Sequence, residues 1–299
     1  MTIYSQIAEN KIKTFFIMVV FVFLFSGFFF LIGQFFSDSN FYLVVGFFIS
    51  FLSAVGSYFY SDKIVLWLNH AKPADKKNFF NFYTVAENLA IAAGLPKPAL
   101  YVIDDPAPNA FATGRDPRHA VVCVTTGLLD VMDREELEGV ISHELSHVKN
   151  YDILLASIIS VLVGSISLIA HWVMRSFWWG GIGGRDRDRE QTNPIMFVLF
   201  IFALILTPIA ATLIQLAVSR RREYLADASG ALLTRNPKGL AMALEKISQY
   251  DYPMRNASTA TANLFISNPL KTKKSSSWFV NLFSTHPPIE ERIKILESM

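Results

Sequence analysis

A single cysteine, Cys123, in a chain of 299 residues excludes any disulfide within the chain. That scarcity accords with a reducing compartment, as it does with the many periplasmic proteins that carry no disulfide. Charge is scarce as well. Asp, Glu, Lys and Arg make up 17% of the residues and the net charge is only +2. The basic residues are spread along the whole length and form no stripe, which excludes a nucleic-acid-binding protein. What fills the chain is apolar: 52% hydrophobic residues with 14% aromatics, more than an ordinary soluble domain carries. An excess of that size points to lipid.

Four stretches hold the excess. Residues 15–36 and 41–60 contain no charge, and each is long enough to cross a hydrocarbon core of roughly 30 Å as a helix. Ser37, Asp38, Ser39 and Asn40 alone separate them, so a tight helical hairpin is expected. A cleaved signal peptide is the alternative for the first run. Its apolar core is too long for one, and no small-x-small cleavage site follows. Residues 153–173 and 194–218 form a second pair, uncharged apart from a titratable His171, with Pro208 as a kink that a membrane helix tolerates.

Lysine and arginine set the orientation. Lys11 and Lys13 precede the first pair, Lys63, Lys72, Lys76 and Lys77 follow it, and its loop has none, which places both ends of that hairpin in the cytosol. Around the second pair, Lys149 and Arg220, Arg221 and Arg222 stand on one side and Arg175, Arg185, Arg187 and Arg189 on the other. An even number of crossings then keeps the C-terminus cytosolic, and a partly inserted second hairpin is the alternative. The division expected is a transmembrane hairpin at 1–60, a first soluble part at 61–152, a second hairpin at 153–218 and a second soluble part at 219–299.

Within the soluble parts, apolar spacing predicts a helix over 79–93, stopped by Gly94, Leu95 and Pro96. Three short strands follow at 99–103, 109–113 and 120–124. The fold class expected is therefore mainly α with a small β-sheet, in a multi-pass membrane protein. Asp133 and Glu136 form a capping box that opens a helix carrying Leu137, Val140, Ile141, Leu145 and Val148 on one face. After the fourth apolar run the helix is expected to continue through 222–234, with further helices at 238–248 and 289–296. Between the last two, 258–284 is rich in Ser, Thr, Asn and Lys and reads as a mobile loop.

The capped helix carries His143, Glu144, Leu145, Ser146 and His147, the pattern H-E-x-x-H. A four-residue step turns a helix by roughly 400° and advances it about 6 Å, so both imidazoles point the same way and can share one ion. Glu144 adjoins the first of them, where it can act as general base toward water at an open coordination position. A surface helix that happens to hold two histidines is the plain alternative. A catalytic zinc needs a third protein ligand. The position six residues past His147, where a third histidine would stand, is Ile153. Glu223 instead opens the sequence Glu-Tyr-Leu-Ala-Asp just after the fourth run. If the third and fourth runs pair antiparallel, it comes beside His143 and His147. Asp227, one turn further, shares its face and can accept from the outer nitrogen of a liganding histidine. Salt bridges to Arg220, Arg221 or Arg222 are the alternative role for both carboxylates.

With these motifs the chain resembles the HtpX-type membrane zinc proteases, in the wider group that includes the CAAX prenyl proteases. The resemblance rests on His-Glu-Leu-Ser-His at 143–147, Glu-Tyr-Leu-Ala-Asp at 223–227, Asn-Ala-Phe-Ala-Thr-Gly at 109–114 and Ser-Thr-His-Pro-Pro at 284–288, and it spans nearly the whole chain. It implies a cytosolic zincin-like (gluzincin) domain holding one Zn2+ per chain on His143, His147 and Glu223, with Glu144 as catalytic base and Asp227 in support. It further implies a role for His286 in stabilising the oxyanion and for Arg292 in supporting the ligand region. Asn109, Ala110, Phe111 and Ala112 would be an edge strand on which an extended substrate adds, or else a plain sheet strand. The activity implied is endopeptidase cleavage of misfolded or damaged membrane proteins in the cell membrane, under stress. The partners implied are polypeptides and the bilayer.

Two rival readings differ in a visible feature. An intramembrane protease would hold H-E-x-x-H inside an apolar span, whereas Arg134, Glu135, Glu136, Glu138, Lys149 and Asp152 surround it here. A non-proteolytic membrane chaperone or scaffold would use a structural zinc, which normally takes four protein ligands, often thiolates.

Overall fold

The computed structural model describes residues 3–34, 38–180, 201, 219–255, 257–270 and 287–299. Two long helices come first, α1 (Ile3–Gly33) and α2 (Ser39–Leu68), the second capped by the Asp38 side chain, which accepts from Phe41 N. The spans Ser5–Leu31 and Ser39–Leu68 are long and apolar enough to cross a membrane. Phe15, Phe23, Val44, Phe48, Leu52 and Trp67 point outward and are exposed. The inner faces instead bury the small residues Ser26, Gly46, Ser50 and Ala54. In lipid, apolar side chains gain nothing by meeting each other, so small residues that let backbones approach hold helices together. At Gly46 a Cβ would lie 2.4 Å from Phe29 Cβ, so only glycine fits that crossing.

A mixed sheet and four helices follow: β1 (Lys72–Pro73), α3 (Phe80–Ala93), β2 (Ala99–Ile103), β3 (Ala110–Thr113), β4 (Val121–Thr125), the short α4 (Thr126–Val131), α5 (Arg134–Lys149) and α6 (Asp152–Gly180). Sheet order is β1-β2-β4-β3, with β2 and β4 parallel and both outer pairs antiparallel. Gly94 ends α3 in the left-handed conformation at φ 68°, which a glycine adopts without steric cost. The expected capping box opens α5: Glu136 N donates to Asp133 Oδ1 at 2.9 Å, and Asp133 N to Glu136 Oε2 at 2.8 Å.

Helix α5 is the axis of the region built on the sheet. Leu137, Val140, Ile141, Leu145 and Val148 share one core with Val122 and Val124 of β4, with Val85 and Leu89 of α3, and with Leu240 and Leu244 of a later helix. Tyr151, at φ 59°, then turns the chain, and α6 leaves at 84° to α5. Leu155, Ile158, Ile159 and Leu162 of α6 bury against Ile17, Phe21 and Phe25 of α1. The fourth apolar run, apart from Ile201, lies outside the described residues.

The last helices are α7 (Arg220–Thr234), α8 (Pro237–Gln249) and α9 (Ile289–Glu297). Two expectations are corrected here. Helix α7 does not continue an earlier helix, because Ser219 is extended (φ −120°, ψ 123°) and its carbonyl takes Arg222 N at 2.8 Å as a fresh helix start. The stretch read as a loop is also not loose throughout. Ala260, Thr261, Ala262, Asn263, Leu264, Phe265 and Ile266 are buried, with a 3-10 turn at Ala262–Leu264, whereas 271–286 lies outside the described residues. Apolar burial of Phe265 and Ile266 outweighs the polar composition of their surroundings.

Helices α5 and α8 touch backbone to backbone. A Cβ on Gly139 would lie 2.5 Å from Leu240 N, and one on Gly239 2.6 Å from Glu135 O. Gly139→Ala must therefore push α8 away, at a cost of about 1–3 kcal/mol. Its thermal unfolding midpoint in detergent should fall, and an unchanged midpoint would contradict this contact.

Candidate active site

His143 and His147 stand one turn apart on α5, as their spacing requires. The carboxylate facing them comes from α7, where Glu223, Asp227 and Gly230 follow at helical intervals on the side toward α5. Gly230 makes the approach close, since a Cβ there would lie 2.9 Å from Ser142 Oγ and 3.1 Å from His143 N. Ligand atoms of His143, His147 and Glu223 consequently all lie within 4.8 Å of one another, and the three can hold a metal ion.

Each imidazole has its Nδ1 on a carboxylate. His143 Nδ1 is 2.9 Å from Asp227 Oδ1, and His147 Nδ1 is 3.0 Å from Asp152 Oδ2. Protons on those nitrogens leave the two Nε2 lone pairs facing each other at 3.2 Å. A hydrogen bond cannot form between two lone pairs, but a shared cation can sit between them. Tetrahedral zinc with Zn–N of about 2.0–2.1 Å sets its nitrogens roughly 3.3 Å apart. Glu223 completes the triangle, with Oε1 3.5 Å from His147 Nε2 and Oε2 3.8 Å from His143 Nε2. The donor set and its spacing fit a zinc site.

The surrounding charges agree. Glu144, Asp152, Glu223 and Asp227 are buried, and among the described residues Arg222 lies beside Asp152 while Arg292 lies beside Asp227 and Glu223. Asp227 is held by Arg292 through Nε at 2.8 Å and Nη2 at 2.6 Å, a bidentate pair in which Arg292 is wholly buried. Burial alone would raise the Asp227 pKa. The Arg292 charge and the bonds from His143 and Arg292 outweigh it and hold the carboxyl at about 2. Burial pushes Glu144 up to about 7, a value suited to exchanging a proton near neutral pH. For His147, burial acts to lower the pKa, but the Asp152 bond and the carboxylates of Glu223, Asp152 and Glu144 raise it to about 9, so with no metal bound its Nε2 holds a proton at neutral pH that a cation must displace to gain the lone pair.

Asp152 had no signal in the motif and is found only because the turn at Tyr151 folds it back. It is fixed in turn by Asn10 Nδ2 of α1 at 2.8 Å and by Arg222 Nη1 at 3.4 Å, so the first membrane helix reaches the site. His286 lies outside the described residues.

Strand β3 stands at the end of the sheet, and its Ala112 backbone is near enough to the Glu144 carboxylate to lower that carboxyl's pKa slightly against the effect of burial. Its outer side is not open along its length. Ile266 N donates to Ala110 O at 2.9 Å, and Phe265 bridges Phe111 with the rings 4.9 Å apart. Asn109 Nδ2 donates to Ser267 O at 2.9 Å. Ala112 is the β3 residue that borders the small cavity beside Glu144, a space of about 40 Å3.

Two histidines of an H-E-x-x-H helix under a mixed sheet, a glutamate from a second helix and two membrane-length helices define a membrane metallopeptidase of the zincin class. The profile of Peptidase family M48 matches residues 77–299, and the chain belongs to that family. It is 47% identical to a protein named Protease HtpX homolog from Caldanaerobacter subterraneus subsp. tengcongensis, over 100% of this chain and 98% of that one. It is 46% identical to the Protease HtpX homolog of Tropheryma whipplei (strain Twist), over 99% and 98% of the two chains. Among solved structures it resembles S. mikatae Ste24p, with a TM-score of 0.52 and 20% identity, covering 99% of this chain and 66% of that one.

Removal of an outer partner of a liganding histidine typically weakens metal binding about 10–100-fold. Asp152→Ala should show such a loss in competition with a zinc chelator, and undiminished retention would detach Asp152 from the metal. Arg292→Met leaves Asp227 buried without its cation, which costs about 3–5 kcal/mol. A denaturant midpoint equal to wild type would refute that pairing.

Proposed function

We propose that this chain is a membrane-anchored, zinc-dependent endopeptidase that cleaves misfolded or damaged membrane proteins at the cytosolic face of the cell membrane. One observation carries the reading: two imidazole Nε2 atoms and the Glu223 carboxylate converge beside the buried carboxyl of Glu144. His143, His147 and Glu223 are the ligands of one zinc ion per chain. Bound there, zinc polarises a carbonyl and makes water more acidic. Glu144 takes the proton of the attacking water and delivers it to the departing amide nitrogen. Asp227 and Asp152 keep the imidazoles turned inward, and Arg292 keeps Asp227 in place. His286 serves the oxyanion by resemblance. Ala112 meets the substrate main chain, while Asn109, Ala110 and Phe111 continue that strand and hold the 265–267 segment.

The division into hairpins at 1–60 and 153–218 and a protease body assembled from 61–152 and 219–299 belongs to the same proposal. It is supported by helices α5 and α7, which come from the two parts and build the site together. Cytosolic placement is supported by the lysines at both ends of the first hairpin and by Asn10, which lies just before the apolar run and touches the site. Quality control of membrane proteins under stress is what the resemblance to HtpX-type proteases supports.

Purified full-length protein should cut casein when zinc is present and stop when a chelator removes it. Glu144→Gln should keep one zinc per chain and lose cleavage by a factor of about 10² or more. Retained cleavage would remove Glu144 from the chemistry. Glu223→Ala should lose zinc, and unchanged stoichiometry would reassign the third ligand.

A further inference from the structure

Asn10 lies in α1 just ahead of the apolar run, is only 4% exposed and belongs to no motif. Its carboxamide reaches the start of α6 and the start of α7. Nδ2 donates to Asn150 O at 3.0 Å and to Asp152 Oδ1 at 2.8 Å, while Oδ1 accepts from Arg222 Nη1 at 3.2 Å. The partners fix which way round the amide lies, because a carbonyl and a carboxylate only accept and a guanidinium only donates. Both N–H groups and the amide oxygen are thus engaged, each by a different group.

Two of these contacts bracket Tyr151. That residue is held at φ 59°, a left-handed conformation uncommon outside glycine that persists where the surroundings impose it. Asn10 grips the carbonyl of the residue before it and the side chain of the residue after it, and Lys11 Nζ stands 4.3 Å over the Tyr151 ring. The turn held in this way decides where Asp152 points. Its Oδ1 faces Asn10 and Arg222, and its Oδ2 meets His147 Nδ1 at 3.0 Å. An imidazole whose outer nitrogen keeps a fixed carboxylate needs no reorientation when an ion arrives.

We propose that Asn10 is a positioning residue for the metal: by clamping the turn at Tyr151 it aims Asp152 at His147 and so sets how tightly the site holds zinc. The inference rests on the zinc protease reading above and adds α1 to the parts that build the metal site. Asn10 is not one of the residues that line the cavity, so it acts through Asp152 and not on the substrate.

The test uses full-length protein in detergent, zinc competition with a fluorescent chelator, and the visible absorption of cobalt(II) bound in place of zinc. Asn10→Ala should weaken zinc binding about tenfold, the lower end of what losing a direct outer partner does, because Asn10 stands one hydrogen bond farther out. Asn10→Asp keeps the size and an acceptor for Arg222 but offers no donor to Asn150 or Asp152. It should show at least the same loss, and it decides the matter if the Ala variant fails to fold. The cobalt absorption should change in both variants, whereas a merely destabilised helix would leave it as in wild type. In an Asp152→Ala background, removing Asn10 should cost no more than about a further twofold, since the link is already broken. Zinc affinity within about twofold of wild type with an unaltered cobalt spectrum, or a loss as large in the Asp152→Ala background as in wild type, would overturn the proposal and leave the protease reading standing. A wild type that takes up no zinc would overturn both.

Discussion

The site depends on how closely α7 can lie against α5. At Gly230 the two helices meet with no side chain between them, next to Ser142 and the backbone of His143. Seven residues earlier on the same face stands Glu223, and between them, three residues before Gly230, stands Asp227, one turn nearer the crossing. One glycine contact therefore sets both the distance from carboxylate to imidazole and the register of the supporting aspartate. Any side chain there would part the helices and widen the triangle that suits a metal.

Electrostatics gives that geometry its purpose. Carboxylates buried around two imidazoles form an arrangement that water would favour dissolving and that a dication favours keeping. Arg292 offsets part of this negative charge from a third helix, and its planar fork fixes Asp227, which fixes the ring of His143. Asp152 performs the same service for His147 from the start of α6. The two rings are thus oriented by different elements, one by α7 and one by α6, the helix that packs on α1.

That second route ties catalysis to anchorage. Asn10 of α1 bonds both Asp152 Oδ1 and the carbonyl of Asn150, and Asn69 at the end of α2 takes Thr261 beside the cavity. Both ends of the first hairpin are therefore hydrogen-bonded to segments that build or border the site. The turn at Tyr151 sends α6 away at 84° from the helix that carries H-E-x-x-H, so the motif lies off the axis of the apolar helix that follows it.

Local patterns in the sequence were enough for the features that depend on local physics. The capping box of α5, the glycine stop of α3, the three longer strands, the helical hairpin and the shared face of His143 and His147 each follow from neighbours in the chain. Glu223 and Asp227 were also legible, because helix periodicity put them on one face, and an antiparallel pairing of the later apolar runs is the arrangement expected to bring that face near the histidines. Asp152 and Asn10 were not legible. Each is an ordinary polar residue in a stretch without a motif, and each gains its position through a contact with the other, more than a hundred residues away in sequence. The residues of this chain determined which helices form and which of their faces carry chemistry. Packing alone decided which buried polar groups find partners, since burial and hydrogen bonding are properties of the assembled neighbours.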